Sequence, residues 1–288
     1  MNKNGQLDII LNKAYHEALL FTKSHYENFP VVSLFIPKNL RKHIAIIYQF
    51  ARQADDLADE GIDRGELRIE KLEFYKNQLS NCLQGQYSSD FWMAVNSTIT
   101  NYNLTPGYFY NLINAFQQDI IKKRYESYAE LLKYCEYSAN PVGRIILELF
   151  NVRENQAFVY SDAICTALQL TNFYQDVAVD HLKGRIYIPA DEMDSFGVKE
   201  NVFELKENNT NFMALLKYQV DRTQKLFDDG KKLLPLLPGT LSRQIKMTIF
   251  GGEAILRKIE KSNYGVLISR PHLNKLDLIK ILIQSITR

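Results

Sequence analysis

Apolar residues recur at helical spacing along almost the whole chain. Leu7, Ile10, Leu11, Ala14, Ala18 and Phe21 lie three and four apart, which predicts a helix over 7–22. Asn28-Phe29-Pro30 breaks it. Pro37 opens a second helix, from about 39 to a stop at Gly61. Ile69, Leu72, Tyr75 and Leu79 form one stripe of a helix over 66–83. Further helices are predicted over 91–102, from Thr105-Pro106 to about 123, and over 128–150, 157–182, 211–232, 241–262 and 275–286, with a loop from Gly184 to about 199. No stretch sustains period-two alternation, so the fold class is all-α. No linker divides the pattern, and residues 1–288 read as one domain.

Two polar stripes stand out against this background. In Gln169 to Pro189 (QLTNFYQDVAVDHLKGRIYIP), a helix places Gln169, Asn172, Asp176 and Asp180 on one face. Leu170, Phe173, Val177 and Val179 lie opposite and suit a core. Gly184 ends the helix, Arg185 comes next, and Pro189 discourages continuation. In Tyr48 to Glu60 (YQFARQADDLADE), Tyr48, Arg52, Asp55 and Asp59 share a stripe, with Asp56 and Glu60 beside it. One D-x-x-x-D on a helix is usually a solvated face. Two of them, each with amide or Arg companions, suit a divalent cation and a polyphosphate, because magnesium takes oxygen ligands and shares carboxylates with phosphates.

Composition narrows the choice. Hydrophobic residues make up 46% and charged residues 24%, enough for a sizeable core, and a net charge of +2 gives no electrostatic case for nucleic acid. Cys82, Cys135 and Cys165 show no metal-ligand spacing and fit a reducing cytoplasm; the five histidines make no ligand set. There is no signal-peptide pattern at the start, no apolar run of about 18 residues, no G-x-G-x-x-G after a strand and no P-loop. The expectation is a cytoplasmic protein, with weak association to the inner-membrane surface allowed by a greasy substrate class.

The two acidic stretches resemble the aspartate motifs of the squalene and phytoene synthase family. A third stretch, Tyr134 to Gly143 (YCEYSANPVG), is similar to that family's Tyr-Cys-x-x-x-Ala-Gly-x-Val-Gly segment, with Asn140-Pro141 in place of Gly and its neighbour. With ENFPVVSLFIP and FQQDIIKKRY, this departure most resembles the bacterial hydroxysqualene synthase branch. The resemblance implies a single isoprenoid synthase bundle, with a central cavity between two Asp-rich helices. It implies prenyl diphosphate substrates, two or three Mg2+ ions, no nicotinamide cofactor, and partner enzymes of hopanoid synthesis.

The residues then take expected roles. Asp55, Asp59, Asp176 and Asp180, with Asn172 as a neutral oxygen, would hold metal. Gln169 would hydrogen-bond substrate, and Arg52 and Arg185 would grip phosphate oxygens in a planar fork. Tyr48 and Tyr134 match motif positions and would line the diphosphate and cation region. Asn140, or Ser138, would position a quenching water; alternatively Asn140-Pro141 only shapes a kink, because Pro disrupts the helix ladder. Asp119 and Arg124 read as a solvated helix end; in family terms they lie by the mouth for a second diphosphate. Tyr264 and Arg270 resemble the family tail and would close the pocket. The competing readings are a synthase that condenses two prenyl diphosphates head to head, and a catalytically dead lipid-binding scaffold.

Overall fold

The computed structural model describes residues 3–24, 35–59 and 64–287. Among them are fourteen α-helices, one 3-10 turn and no strand, in agreement with the helical spacing. Asn28-Phe29-Pro30, most of ENFPVVSLFIP, Glu60 and Gly61 lie outside the described residues. The chain falls into two compact units, residues 1–121 with 144–153, and residues 122–143 with 154–288.

Unit one holds α1 (Lys3–Ser24), α2 (Lys38–Asp59), α3 (Gly65–Leu83), α4 (Asp90–Asn101) and α5 (Pro106–Ile121). The hub is α2, which packs against each of the other four. Its Phe50 is fully buried, with the rings of Tyr75, Trp92 and Phe109 at centroid distances of 5.3, 6.0 and 5.2 Å. The Tyr75 hydroxyl donates to the Phe50 carbonyl at 3.1 Å. Removing such a ring costs about 3–5 kcal/mol, so this contact fixes the rotation of α2 and turns its acidic stripe away from the core. Near the other end of α2, buried His43 and Tyr15 both meet the Thr98 hydroxyl at 2.9 Å. The expected stripe of α1 is buried at Ala14 and Ala18, while Leu7 is exposed.

Unit two holds α6 (Tyr128–Ser138), α8 (Asn155–Gln175), α9 (Val177–Leu182), α10 (Ala190–Ser195), α11 (Asn201–Glu204), α12 (Thr210–Gly230), a 3-10 turn (Lys231–Leu236), α13 (Gly239–Lys261) and α14 (Lys275–Thr287). α7 (Asn140–Leu149) starts in unit two and ends in unit one. The centre of unit two is α8, against which α6, α12 and α13 pack. Gly143 permits the close approach of α7 to α8. A Cβ there would stand 2.4 Å from the Ser161 Oγ and 2.5 Å from the Cys165 Sγ, so the glycine that ends the third stretch is a packing requirement.

Four expectations need correction. The helix expected over 128–150 is two, parted at Ala139, just before Pro141, which brings no N–H to the ladder. The helix expected over 157–182 is also two, parted at Asp176. Past that break Val179 is 41% exposed, so it is not a core residue. The loop expected over 184–199 contains the short helix α10, and α11 comes after it.

Candidate active site

The first acidic motif lies in unit one, on the last turns of α2. Tyr48, Arg52, Asp55, Asp56 and Asp59 are all half-buried there. The Tyr48 ring lies 6.3 Å from that of Phe21. The Arg52 guanidinium is turned along its own helix, 2.7 Å from Asp56 and 3.5 Å from Asp55. Asp119 of α5 is only 7% exposed and lies close enough to act on Asp55. It is therefore not the solvated helix end that its charge run suggests.

Burial, and then the charge of Asp59, push the Asp55 carboxyl up to about 7. Arg52 opposes this, while Asp56 and Asp119 add to it. The Asp55 side chain keeps 37% exposure, so water screens part of the repulsion. What remains is a set of hard oxygen donors whose mutual repulsion raises Asp55. A divalent cation fits such a set.

The second motif lies in unit two, and the backbone shapes it differently. Asp176 is the joint between α8 and α9, with φ −105° and ψ 11°. Helical bonding continues through it, from Asp176 N–H to Asn172 C=O at 2.9 Å and from Asp180 N–H to Asp176 C=O at 2.8 Å. Asn172 is exposed, and Gln169, Asp176 and Asp180 are half-buried, so all four keep access to solvent on either side of the joint. α9 then closes in a Schellman turn. Arg185 N–H bonds Asp180 C=O at 2.9 Å, and Gly184 N–H bonds His181 C=O at 2.8 Å. Gly184 carries φ +75°, a conformation most side chains resist. The turn ties buried Arg185 to Asp180 through the backbone.

Backbone hydrogen bonds pin the segment after the turn to the stretch before α6. Ile186, Ala190 and Asp191 N–H groups donate to the carbonyls of Lys123, Tyr125 and Glu126 at 3.0, 2.9 and 3.1 Å. Arg124, expected near phosphate, is engaged here: it donates to Gly184 C=O at 2.7 Å and pairs with Glu200 at 2.8 Å. Farther along, Glu192 of α10 binds Arg222 and accepts from Gln219 at 2.8 Å.

Tyr134 is buried in an aromatic nest with Tyr125, Phe173 and Tyr187. Phe173 and Tyr187 stack with ring centroids 3.8 Å apart, nearly parallel. Asn140 is buried, and its side-chain oxygen accepts from the Thr166 hydroxyl at 3.1 Å. The Ser138 hydroxyl is buried with no hydrogen-bond partner among the described residues.

Two long-range contacts have no counterpart in the sequence pattern. Arg270 grips Asp176 through Nε and, at 3.2 Å, through Nη2. Beside it, buried Gln175 donates to the Pro271 carbonyl at 2.6 Å, which seats the Arg270 segment next to Asp176. Tyr264, named with Arg270 from the tail, sits half-buried in a left-handed turn at φ +58°. No group of three or more His, Cys, Asp or Glu side chains forms a ready metal cage among the described residues. Magnesium commonly relies on one or two carboxylates with water and substrate phosphate, and each motif supplies that.

The squalene/phytoene synthase family model matches residues 22–277, across both units. The chain belongs to the squalene/phytoene synthase family. It is 38% identical over 190 residues to a hydroxysqualene synthase of Zymomonas mobilis, a match covering 65% of this chain and 63% of that protein. A hydroxysqualene synthase of Rhodopseudomonas palustris is 32% identical over 208 residues, 72% of this chain and 70% of its own. The crystal structure of the squalene synthase HpnC from Alicyclobacillus acidocaldarius superposes with a TM-score of 0.84 at 38% identity, covering 89% of this chain and 96% of that one. The Zymomonas alignment thus spans just under two thirds of its relative.

Proposed function

We propose that the protein is a hydroxysqualene synthase, which converts presqualene diphosphate and water to hydroxysqualene and diphosphate. The observation that carries this is the 38% identity to a hydroxysqualene synthase, in a chain that holds both aspartate motifs and the Asn140-Pro141 departure. In the reaction the C–O bond to diphosphate breaks, both electrons leave with the diphosphate, and a water oxygen bonds the resulting carbocation and loses a proton.

The residues present fit magnesium. Asp55 and Asp59 would hold it in unit one, and Asn172, Asp176 and Asp180 in unit two. When bound, it supplies the positive charge that makes diphosphate a good leaving group, worth several kcal/mol, roughly. Arg185, held by its turn, donates to phosphate oxygens. Arg52 does the same on leaving Asp56, and Gln169 orients the diphosphate by hydrogen bonding. Tyr48 donates to the diphosphate. The faces of Tyr134, Tyr125, Phe173 and Tyr187 keep a cation dry and stabilise it by about 0.5–2 kcal/mol per contact. For the water, the buried Ser138 hydroxyl is the stronger anchor, because it has no hydrogen-bond partner among the described residues, whereas the Asn140 oxygen already accepts from Thr166.

The deciding assay incubates the protein with presqualene diphosphate and Mg2+, without reductant. Hydroxysqualene is the expected product; no turnover, or squalene only with added nicotinamide, rejects the reading. Ser138→Ala should divert the cation to eliminated hydrocarbons more than Asn140→Gly does. The second reading, condensation of two farnesyl diphosphates, is favoured by the squalene synthase description of the HpnC structure. Turnover of farnesyl diphosphate alone would select it.

A further inference from the structure

The last helix presents an apolar face to solvent. On α14, Ile281 and Ser285 are buried, and the helix packs against α13. Leu276, Ile279 and Ile286 are 68%, 53% and 59% exposed, and Leu278 and Leu282 are exposed as well. At 3.6 residues per turn, these five side chains cover an arc of about 160°. A helix of a water-bathed surface would carry polar residues there. Here Lys275, at the first residue of the helix, is the one cation within the arc, and Lys280, Gln284 and Asp277 stand to one side. The family match ends at residue 277, so this face lies almost wholly beyond the shared segment.

Beside the apolar arc runs a basic hollow of about 330 Å3 between α13 and α14, lined by Arg257, Lys258, Lys261 and Lys280 among others. Two carboxylates share that lining with the four cations. Asp277 is paired with Lys258 at 2.8 Å, and buried Glu253 is held by Lys231 at 2.6 Å and Gln224 at 2.7 Å. Lys275 adds a further exposed cation at the start of α14.

We propose that α14 and the basic hollow form a docking surface for an anionic lipid bilayer. The aliphatic side chains enter the acyl boundary while Lys261, Lys280 and Arg257 meet headgroup phosphates. Charge selects this occupant. A second copy of the chain would set one cationic rim against another, whereas an anionic bilayer matches an aliphatic stripe flanked by lysines. No described helix is long and apolar enough to cross a membrane, so attachment would be by lying on the surface. The inference concerns binding and stands apart from the reaction assigned above.

The test is co-sedimentation of the full chain with vesicles of phosphatidylglycerol and phosphatidylethanolamine, against vesicles of phosphatidylcholine. The expected result is pelleting with the anionic vesicles alone, weakening steeply as salt is raised. Ile279→Ser with Ile286→Ser should lower binding about tenfold or more. Lys261→Gln with Lys280→Gln should lower it about fivefold per charge. Thermal midpoints report whether the variants fold, and the salt series on the wild-type chain decides the question without any variant. Three outcomes overturn the proposal: no pelleting with anionic vesicles, equal binding to neutral ones, or a wild-type dimer that Ile279→Ser with Ile286→Ser dissociates.

Discussion

The two acidic motifs carry the same spacing of carboxylates but solve the charge problem in opposite ways. On α2 the helix is unbroken to Asp59, and the answering cation, Arg52, sits one turn back on the same helix. The carboxylates outnumber it, and the Asp55 carboxyl is pushed up to about 7. On α8–α9 the helix parts at Asp176, closes in a glycine turn after Asp180, and takes its cation from Arg270, 94 residues away. One motif is answered by a cation on its own helix, and repulsion among its carboxylates still raises Asp55. The other has a cation on Asp176, by a contact that only the fold creates. The difference teaches that a spacing of aspartates specifies a face, while the surroundings decide whether that face awaits a cation or already has one.

The largest test removes one carboxylate from each motif. Asp55→Asn and Asp176→Asn should each lower magnesium-dependent diphosphate release by on the order of a hundredfold or more. Their metal-free stabilities should move in opposite directions. Asp55→Asn relieves repulsion and should raise the thermal midpoint, whereas Asp176→Asn deserts Arg270 and should lower it. Equal shifts of the same sign would break the contrast.

The next test concerns what holds α2 in place. Burial, with help from the charge of Lys42, lowers the His43 imidazole to about 4. The unfolded chain therefore binds the proton more readily than the folded one. Stability should be full above about pH 6.5 and fall as pH drops through that value toward 4, by roughly 3 kcal/mol in all. A denaturation series from pH 7 to 5 checks the slope, and His43→Gln should flatten it. A slope unchanged in the variant would show that another group governs acid sensitivity.

For α8 the corresponding support is Gly143. Gly143→Ala must displace Ser161 and Cys165, so it should cost about 1–3 kcal/mol in chemical denaturation. Gly184→Ala is milder, about 1 kcal/mol, since only the backbone angle resists. It should raise KM for the diphosphate substrate by misplacing Arg185, and Gly184→Asn should rescue most of that, because Asn tolerates the left-handed region. An alanine variant with unchanged KM would separate Arg185 from the turn.

Much of the fold is legible in the sequence, for local reasons. Helical spacing locates the main helices, and the shared stripe of Asp55 and Asp59 on unbroken α2 comes from a four-residue step alone. The break at Ala139 has a visible cause in Pro141. Asp119 defeats such reading because a charge run near a helix end normally faces water, whereas α5 packs against α2 and α3 and Asp119 is buried. Val179 defeats it because a helix face does not extend across the joint at Asp176, which carries no Pro or Gly to announce it. The grip of Arg270 on Asp176, the seat that Gln175 gives Pro271, and the stacking of Phe173 on Tyr187 all join residues brought together by the fold, and local pattern holds no trace of such partners.

The smallest expected effect is the most discriminating. Arg270 is 44% exposed at its side chain, so its pair with Asp176 contributes at most about 1 kcal/mol to stability. Under the proposed function, Asp176 must exchange this guanidinium for a metal ion, so Arg270 competes with the cation. Arg270→Gln should lower the metal-free thermal midpoint slightly, and it should enlarge the gain in midpoint on adding Mg2+, because no competitor then has to leave. On α2 the competing cation is tethered to the same helix and answers several carboxylates at once, so Arg52→Gln should enlarge the Mg2+ gain less per site lost. Titrating each variant with Mg2+ by differential scanning calorimetry, without substrate, compares the two directly. If Arg270→Gln leaves the Mg2+ response unchanged, Asp176 is not the carboxylate that the metal takes, and the second motif must hold its cation through Asp180 and Asn172 instead.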